Sequence, residues 1–363
     1  MIPTLSNRET IDTISKRLMG NLQTYYPELT TSGTAIKGTA IGGQFAKTFR
    51  FDLNFKEGKR IVYGKWCPVF DNINPARMEY ETLVLLYYKM PEINKFFAVS
   101  RPLDFFPDLN VYVMESVGIL NFKTYLLKNN SRLRKGDSIN ELVSVLKGSA
   151  LWLKIFHEIT RSDNVKKFDV LSLQNKMLED YDYRYLWNFT FRRVTLNKLD
   201  ILLNRLSLLG SKLDLPCAKW HWDYTPAHIY LDNGKISVID ILGLDDAPIY
   251  EDIGHFLAAM ETVNNLPFYL LFDRMRAGKE FCDIFLDEYG TMGGSEREIF
   301  LLFSNIYKLK FLILYFGGHH MKVSKYIYSV GAKVYANTRT VGLFDEPIER
   351  TINEINYLLD KLI

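Results

Sequence analysis

Hydrophobic and polar residues alternate along one stretch near the N-terminus of the chain. From Phe49 to Phe55 an apolar side chain occupies every second position, and polar side chains lie between them. A two-residue period is typical of a strand with one buried face. Glu57, Gly58 and Lys59 predict the turn that follows, and residues 60–66 predict the return strand of a hairpin. A further short strand is predicted at residues 111–115.

Other stretches have the period of an α-helix. Ser6 followed by Glu9 is a capping box and predicts the start of a first helix. Pro75 predicts the start of a second helix that runs to about Met90. Apolar residues recur at helical spacing between 142 and 156, which predicts a long helix ending near Ile159. Residues 217–241 again resemble strands, with a hairpin turn at 232–234, and residues from 251 onward predict helices.

Length and charge set broad limits on the function. The chain has 363 residues, which suggests about two domains. Its 45 basic and 42 acidic residues give a net charge of +3, so charge offers no reason to expect nucleic acid as a partner. The three cysteines, at positions 67, 217 and 282, are widely spaced and form no CxxC pair. We therefore expect neither a disulfide framework nor a zinc knuckle, and a reducing cytoplasm as the location.

We expect no membrane span. The N-terminal residues lack the apolar segment of a secretory signal. The most apolar stretch, residues 299–316, contains Asn305, Lys308 and Lys310, and charges of this kind are costly in lipid. This stretch is therefore predicted to be a buried helix of the protein core.

The residues with the clearest chemical meaning lie between 221 and 240. Asp223 precedes the first strand of the predicted hairpin and Asp240 follows the second. The outer ends of antiparallel hairpin strands meet, so we expect the two carboxylates to lie close together. One can hold a metal ion while the other accepts a proton or orients a hydroxyl, as phosphoryl transfer requires. The alternative is a pair of ordinary loop aspartates.

This segment resembles the catalytic segment of the aminoglycoside phosphotransferase and choline kinase superfamily, relatives of the protein kinases. The match consists of His221-x-Asp223, the hairpin and Ile239-Asp240, and it continues to Asp252 in a stretch similar to the D-P-x-x-D segment of that superfamily. The first Asp of that stretch is missing. His228 stands where the superfamily has a metal-binding Asn.

Further parts of the superfamily pattern follow in order. Gly42 and Gly43 resemble the loop that covers the nucleotide phosphates, and Lys65 lies where the phosphate-binding lysine belongs. Glu79, rather than Glu81, matches the helix glutamate that pairs with this lysine. Two more segments match: the hinge that contacts adenine (Glu115, Ser116) and the helix that carries a structural histidine (His157).

The resemblance implies an α+β, two-lobe, protein-kinase-like fold. An N-terminal lobe at 1–115, an antiparallel sheet with one helix, would bind ATP. A larger, mainly helical lobe at 116–363 would carry the catalytic and acceptor-binding residues. Asp223 would be the base or orienter of the acceptor hydroxyl, and Asp240 and His228 would hold Mg²⁺. The function implied is phosphorylation of a small molecule such as a sugar, an amino alcohol or an aminoglycoside-like compound.

Three questions stay open at this stage. Imidazole suits Mn²⁺ or Zn²⁺ better than Mg²⁺. His228 therefore favours one of two alternatives: a kinase that uses Mn²⁺, or a pseudokinase, which binds nucleotide without turnover. A third alternative is a metal-dependent hydrolase with His221, Asp223 and His228 as ligands. The acceptor and the oligomeric state are not indicated, although the aromatic run 181–187, Trp222 and Tyr224 are candidates for lining an acceptor pocket.

Overall fold

The computed structural model describes thirteen stretches of the chain. They are residues 6–41, 46–69, 74–118, 120–126, 128, 139–167, 193–210, 213–232, 234–243, 246–263, 276–290, 295–317 and 345–362.

The helices and strands of these stretches follow one another in this order: α1 (Asn7–Tyr25), β1 (Ala35–Ala40), β2 (Lys47–Phe55), β3 (Gly58–Trp66), α2 (Pro75–Ile93), β4 (Phe97–Val99), β5 (Pro102–Phe106), β6 (Val111–Glu115), β7 (Leu120–Asn121), α3 (Ile139–Ile159), β8 (Arg161–Lys167), α4 (Arg193–Gly210), β9 (Asp214–Lys219), β10 (Ile229–Asp232), β11 (Lys235–Val238), β12 (Asp246–Pro248), α5 (Ile249–Val263), α6 (Arg276–Tyr289), α7 (Ser295–Gly317) and α8 (Asp345–Leu362).

These elements belong to two compact units. The first comprises the described residues of Met1–Tyr125, Trp220–Trp222 and Ala227–Asp245, and the second those of Leu126–Lys219, Asp223–Pro226 and Asp246–Ile363. Compared with the predicted lobes at 1–115 and 116–363, the first unit extends ten residues further and also contains the hairpin of β10 and β11. The chain therefore crosses between the units several times around residues 219–246.

The first unit is built on an antiparallel sheet with the strand order β1-β2-β3-β6-β5. The apolar side chains of β2 are buried, as the alternation predicted, and they share a core with Ile14, Leu18 and Leu22 of α1. The predicted hairpin is confirmed, but its turn is at Lys56 and Glu57. Strand β3 already begins at Gly58, so Gly58 and Lys59, which the sequence placed in the turn, belong to the strand.

Both helices of the first unit begin where the sequence predicted. The capping box of α1 is present, with the Ser6 side chain accepting from the Glu9 N–H and Glu9 accepting from the Ser6 N–H. Helix α2 begins at Pro75, and the Asn74 side chain caps it by accepting from the Arg77 N–H at 3.0 Å. The buried face of α2 includes Glu79.

A second sheet of the first unit has the order β4-β11-β10-β7. Strands β10 and β11 form the predicted antiparallel hairpin, and β11 also pairs in parallel with β4. The end of this hairpin is therefore fixed relative to the strand that follows α2. This arrangement places Asp240, two residues beyond β11, in the same unit as β3 and α2.

The second unit consists mainly of helices. Large aromatic side chains fill its core, among them Phe256 of α5, Phe285 of α6 and Phe303 of α7. Helices α5 and α7 approach closely at Gly254, where a Cβ atom would lie 2.8 Å from the Phe303 backbone. A three-stranded sheet with the order β12-β9-β8 completes the unit. The predicted helix ending at Ile159 is confirmed as α3.

The apolar stretch at 299–316 lies in α7, and five of its side chains are fully or almost fully buried, as predicted: Phe300, Leu302, Phe303, Ile306 and Leu309. Within the stretches described above, no helix combines the length and apolar character that crossing a membrane requires.

Candidate active site

A buried ion pair joins strand β3 to helix α2. The Lys65 ammonium lies 2.6 Å from Glu79 Oε1, and the two side chains are 9% and 2% exposed. Lys59, six residues earlier on the same strand, is half exposed and lies 3.2 Å from Asp52. Glu81 pairs instead with Arg77 on the exposed face of α2. The structure thus brings together the lysine and the glutamate that the sequence singled out.

Asp240 is the third member of this group. Its Oδ1 accepts a hydrogen bond from Lys65 Nζ at 2.8 Å, and its side chain is 36% exposed. Its φ of 59° lies in the left-handed region, which costs energy for a residue other than glycine. Three residues on, Gly243 lies so close to Thr82 of α2 that a Cβ atom would be 2.5 Å from Oγ1. The segment after β11 is therefore held against the helix that carries Glu79.

The charges in this group depend on one another. Burial disfavours the charged form of Lys65, but Glu79, together with Tyr112 and Asp240, keeps its pKa well above the ordinary value. Burial also acts to raise the pKa of Asp240, yet Lys65 and His228 outweigh it, so this pKa is lowered. Glu79 is more deeply buried, and burial raises its pKa against the pull of Lys65. Near neutral pH Lys65 is a cation and Asp240 an anion.

Asp223 belongs to the second unit. It lies in a loop, and its side chain is 42% exposed. The next residue, Tyr224, anchors the loop, because its ring stacks on Trp152 and its hydroxyl donates to the Ser149 carbonyl at 2.7 Å. Asp223 and Asp240 thus belong to different units, and their predicted proximity remains a prediction.

Comparison with known proteins gives a likeness of fold. No protein-family model matches the sequence, and no curated protein matches it significantly. Three solved structures resemble this chain over almost its whole length: a choline/ethanolamine kinase family protein from Mesorhizobium loti (12% identity, TM-score 0.51, covering 96% of this chain and 99% of that one), a choline kinase from Cryptosporidium parvum (12%, 0.51, 95% and 96%) and a glucosamine kinase (15%, 0.53, 95% and 81%).

The chain has a two-lobe, protein-kinase-like fold. The α+β class predicted from the sequence is confirmed, and so is the suspected likeness to choline kinase and aminoglycoside phosphotransferase structures. Identities of 12–15% show the fold alone. The roles of individual residues must therefore be argued from their geometry.

His228 lies next to Asp240 in this kinase-like fold. Its Nε2 is 3.5 Å from Asp240 Oδ2, and the His228 carbonyl accepts from the Ile239 N–H at 3.1 Å. Two ligand atoms at this separation can bind the same divalent ion. Among the described residues no group of three or more His, Cys, Asp or Glu side chains could hold a metal. An ion here would need phosphate or water oxygens as well, as Mg²⁺ in nucleotide sites commonly has.

The predicted hinge has its backbone donors already engaged. The Glu115 N–H donates to the Arg101 carbonyl and the Ser116 N–H to the Ile61 carbonyl, both at 2.9 Å. Any adenine contact by these two residues would therefore use their carbonyl oxygens. Of the other candidates from the sequence, Gly42, Gly43 and the aromatic run 181–187 lie outside the described residues.

Asp252 and His157 form a buried group of their own in the second unit. His157 Nε2 is 3.3 Å from Asp252 Oδ2, and its Nδ1 is 2.8 Å from the Tyr289 hydroxyl. The three side chains connect α3, α5 and α6, which supports the structural role predicted for His157.

Sequence reasoning missed two groups that surround Glu79. The fully buried hydroxyl of Tyr112 is hydrogen-bonded to Glu79. Burial is the main cause that holds the Tyr112 pKa well above its ordinary value, and the Glu79 charge is the second. The Cys67 thiol lies 3.7 Å from Glu79 Oε2, and burial raises its pKa to about 12. Both groups are therefore neutral donors. The available signal was register, because Tyr112 lies directly opposite Lys65 in the pairing of β3 with β6.

Proposed function

We propose that this protein is an ATP-dependent phosphotransferase that phosphorylates a hydroxyl group of a small molecule. The observation that carries the proposal is the group formed by Lys65, Glu79 and Asp240. A lysine held between a helix glutamate and a loop aspartate is the arrangement that protein kinases use to bind nucleotide phosphates. The kinase-like fold supports the same conclusion.

Each member of this group has a distinct role in the proposal. Lys65 binds the α- and β-phosphates as a fixed cation, and Glu79 orients it by a 2.6 Å contact. The Asp240 carboxylate, about one-third exposed, can bind Lys65 with one oxygen and turn the other outward. With His228 it would hold a divalent cation, which when bound neutralises phosphate charge. Mg²⁺ suits the carboxylate, while the imidazole favours Mn²⁺.

Asp223 serves the acceptor in this proposal. Its carboxylate is half exposed on a loop that Tyr224 anchors in the core, so it is both accessible and held in place. A carboxylate of this kind can accept a hydrogen bond from the acceptor hydroxyl, orient it and take up its proton. The new O–P bond then forms as the bond between the γ-phosphorus and the bridging oxygen breaks and ADP leaves.

The acceptor class rests on the structural relatives. Choline, ethanolamine and glucosamine appear in the names of the proteins that share this fold, and one glucosamine kinase structure contains glucosamine, ADP and inorganic phosphate. These names support a sugar or an amino alcohol as the acceptor, with a nucleotide as the donor. The hydrolase alternative has no support among the described residues, because His221 is fully buried and no metal-binding cluster is found there.

The test is a ³¹P NMR screen of ATP with pooled sugars, amino alcohols, aminoglycosides and nucleosides, with Mg²⁺ or Mn²⁺. The proposal expects a new phosphomonoester signal and an equal amount of ADP. The Asp223→Asn variant should give far less of both. ATP binding without product for any pool or metal would favour the pseudokinase, for which His228 is the specific motive. Absence of ATP binding would contradict both.

A further inference from the structure

A histidine that the sequence did not single out lies beside Asp223. His255, on α5, has its Nε2 3.8 Å from Asp223 Oδ1. The distance is longer than a hydrogen bond, so the imidazole faces the carboxylate without binding it in this conformation. The His255 side chain is 13% exposed, and that of Asp223 is 42% exposed. One oxygen of Asp223 therefore faces a mostly buried imidazole.

The orientation of the His255 ring is fixed by helix α7. It stacks on Tyr307, with ring centroids 5.0 Å apart and planes 22° from parallel, and it lies 5.2 Å from the Phe311 ring. The Tyr307 hydroxyl in turn donates to Glu251, one turn before His255 on α5. The imidazole is thus held between two helices with one nitrogen toward the loop carboxylate.

We propose that His255 is a positioning residue for Asp223. Its Nε2–H binds Oδ1, so the carboxylate keeps one orientation when it accepts from the acceptor hydroxyl. Hydrogen bonds of catalytic groups are often long without substrate and shorten in the complex, and here about 1 Å of movement is sufficient. This inference rests on the proposed function, because it assigns a partner to the residue that orients the acceptor.

The structure suggests a matched pair of variants. His255→Phe keeps a flat ring for stacking on Tyr307 but removes the N–H, whereas His255→Gln keeps a side-chain N–H donor and loses the ring. A role in packing alone predicts that Phe is the better replacement. The positioning role predicts that Gln is the better replacement.

The first readout does not depend on activity. The protein contains six histidines, and ¹⁵N-histidine NMR of the full chain can follow each ring as pH changes, with His255→Phe assigning the signal. Removing the Asp223 charge in Asp223→Asn should lower the titration midpoint of His255 by about 0.5–1 unit. Other titratable groups on the two helices that hold the ring are Glu251 and Asp252 on α5 and the Tyr307 hydroxyl and Lys310 on α7, the Lys310 ammonium lying 5.4 Å from the Tyr307 ring centroid. None of these is altered, and the His157 signal is the internal control.

The second readout is kinetic. With an acceptor from the screen, His255→Phe should lower kcat about 10-fold with little change in the KM for ATP. The kcat of His255→Gln should be several-fold higher than that of His255→Phe. Without the donor the Asp223 anion is less stable, so the acidic limb of the kcat profile should move to higher pH by about 0.5–1 unit.

Two results would overturn the inference. One is an unchanged His255 titration in Asp223→Asn. The other is a His255→Phe enzyme as active as the wild type, or more active than His255→Gln, with its acidic limb unmoved. Absence of turnover by the wild type with every acceptor contradicts the proposed function instead, so the two failures can be told apart.

Discussion

Two carboxylates that carry the proposed chemistry lie in very different surroundings. Asp240 belongs to a cluster with Lys65 and Glu79, whose side chains are 9% and 2% exposed, and it contacts Lys65 directly. Asp223 lies on a loop of the other unit, is 42% exposed, and has His255 at 3.8 Å. The two carboxylates are about equally exposed, at 36% and 42%, so they differ mainly in what lies beside them: a buried ammonium group for Asp240 and a histidine ring for Asp223.

The difference indicates at which residues a substitution should change both activity and the free energy of unfolding. In the buried cluster each charge compensates another, so removing one leaves an uncompensated charge in a place that excludes water. The exposed carboxylate of Asp223 can lose its charge without such a penalty, because water solvates what remains. Substitutions in the first group should therefore change folding and binding together, while substitutions at Asp223 should change turnover alone.

The largest effect is expected for Lys65→Ala. Loss of the ammonium leaves Glu79 buried without its ion-pair partner, and breaking a buried pair in this way typically costs about 3–5 kcal/mol of unfolding free energy. ATP affinity should fall as well, since Lys65 is the proposed phosphate-binding cation. Urea unfolding and isothermal calorimetry measure the two quantities.

Lys59→Ala is the matched control for that experiment. Lys59 lies on the same strand, is half exposed and pairs with Asp52 at 3.2 Å. Exposed pairs contribute about 0–1 kcal/mol, so this variant should unfold and bind ATP nearly as the wild type does. Equal losses of stability and ATP affinity in the two variants would show that the buried pair of Lys65 and Glu79 contributes no more than an exposed pair.

Much of the fold could be predicted, but not every strand. Strand β2 was found because it buries one face and so alternates, and helix α2 because Pro75 and its leucines mark it. Strand β8, with the sequence RSDNVKK, has almost all its side chains exposed and therefore lacks apolar alternation. Strand β12 has only three residues, too few for any period. Strands β8 and β12 form because each pairs with one edge of β9, and the local sequence does not encode such pairing.

The site shows the same limit. Lys65 and Glu79 were found because strand and helix periods, together with the resemblance, placed them in the right elements. Tyr112 and His255 were missed because their partners are 33 and 32 residues away and are brought close only by β-sheet register and helix packing. Contacts of this kind depend on tertiary structure, and no local pattern marks them.

The second prediction uses the exposed carboxylate. Asp223→Asn should lower kcat about 10²–10⁴-fold, the usual cost of losing a general base. Its unfolding free energy should stay within about 0.5 kcal/mol of the wild type, as for most surface substitutions, and its affinity for ATP within a few-fold. Steady-state kinetics and urea unfolding test both halves. A strongly destabilised Asp223→Asn protein would remove the contrast between the two carboxylates.

The third prediction refines the picture of the buried cluster. Tyr112→Phe removes only the hydroxyl that binds Glu79, and a buried hydrogen bond to a charged group is worth about 1.5–3 kcal/mol. We expect a loss of stability in this range and a few-fold weaker affinity for ATP. Tyr88→Phe on α2 is the control, because Tyr88 is 66% exposed and its hydroxyl should matter little. Equal stability of the two variants would mean that the Tyr112 hydroxyl contributes little to holding Glu79.

The smallest effect is expected at His228, on the border between the buried cluster and solvent. Its Nε2 lies 3.5 Å from Asp240 Oδ2, and its side chain is 19% exposed. If this imidazole binds the cation together with Asp240, the wild type should work better with Mn²⁺ than with Mg²⁺, because Mg²⁺ prefers oxygen ligands. His228→Asn supplies a carbonyl oxygen and should shift the ratio of the two activities toward Mg²⁺ by about 3–10-fold, with a change in stability below about 1 kcal/mol. Turnover with each metal at saturating ATP measures this ratio. An unchanged ratio in His228→Asn would show that His228 is no ligand and that Asp240 acts without it, leaving the 3.5 Å contact as a simple interaction between the two side chains.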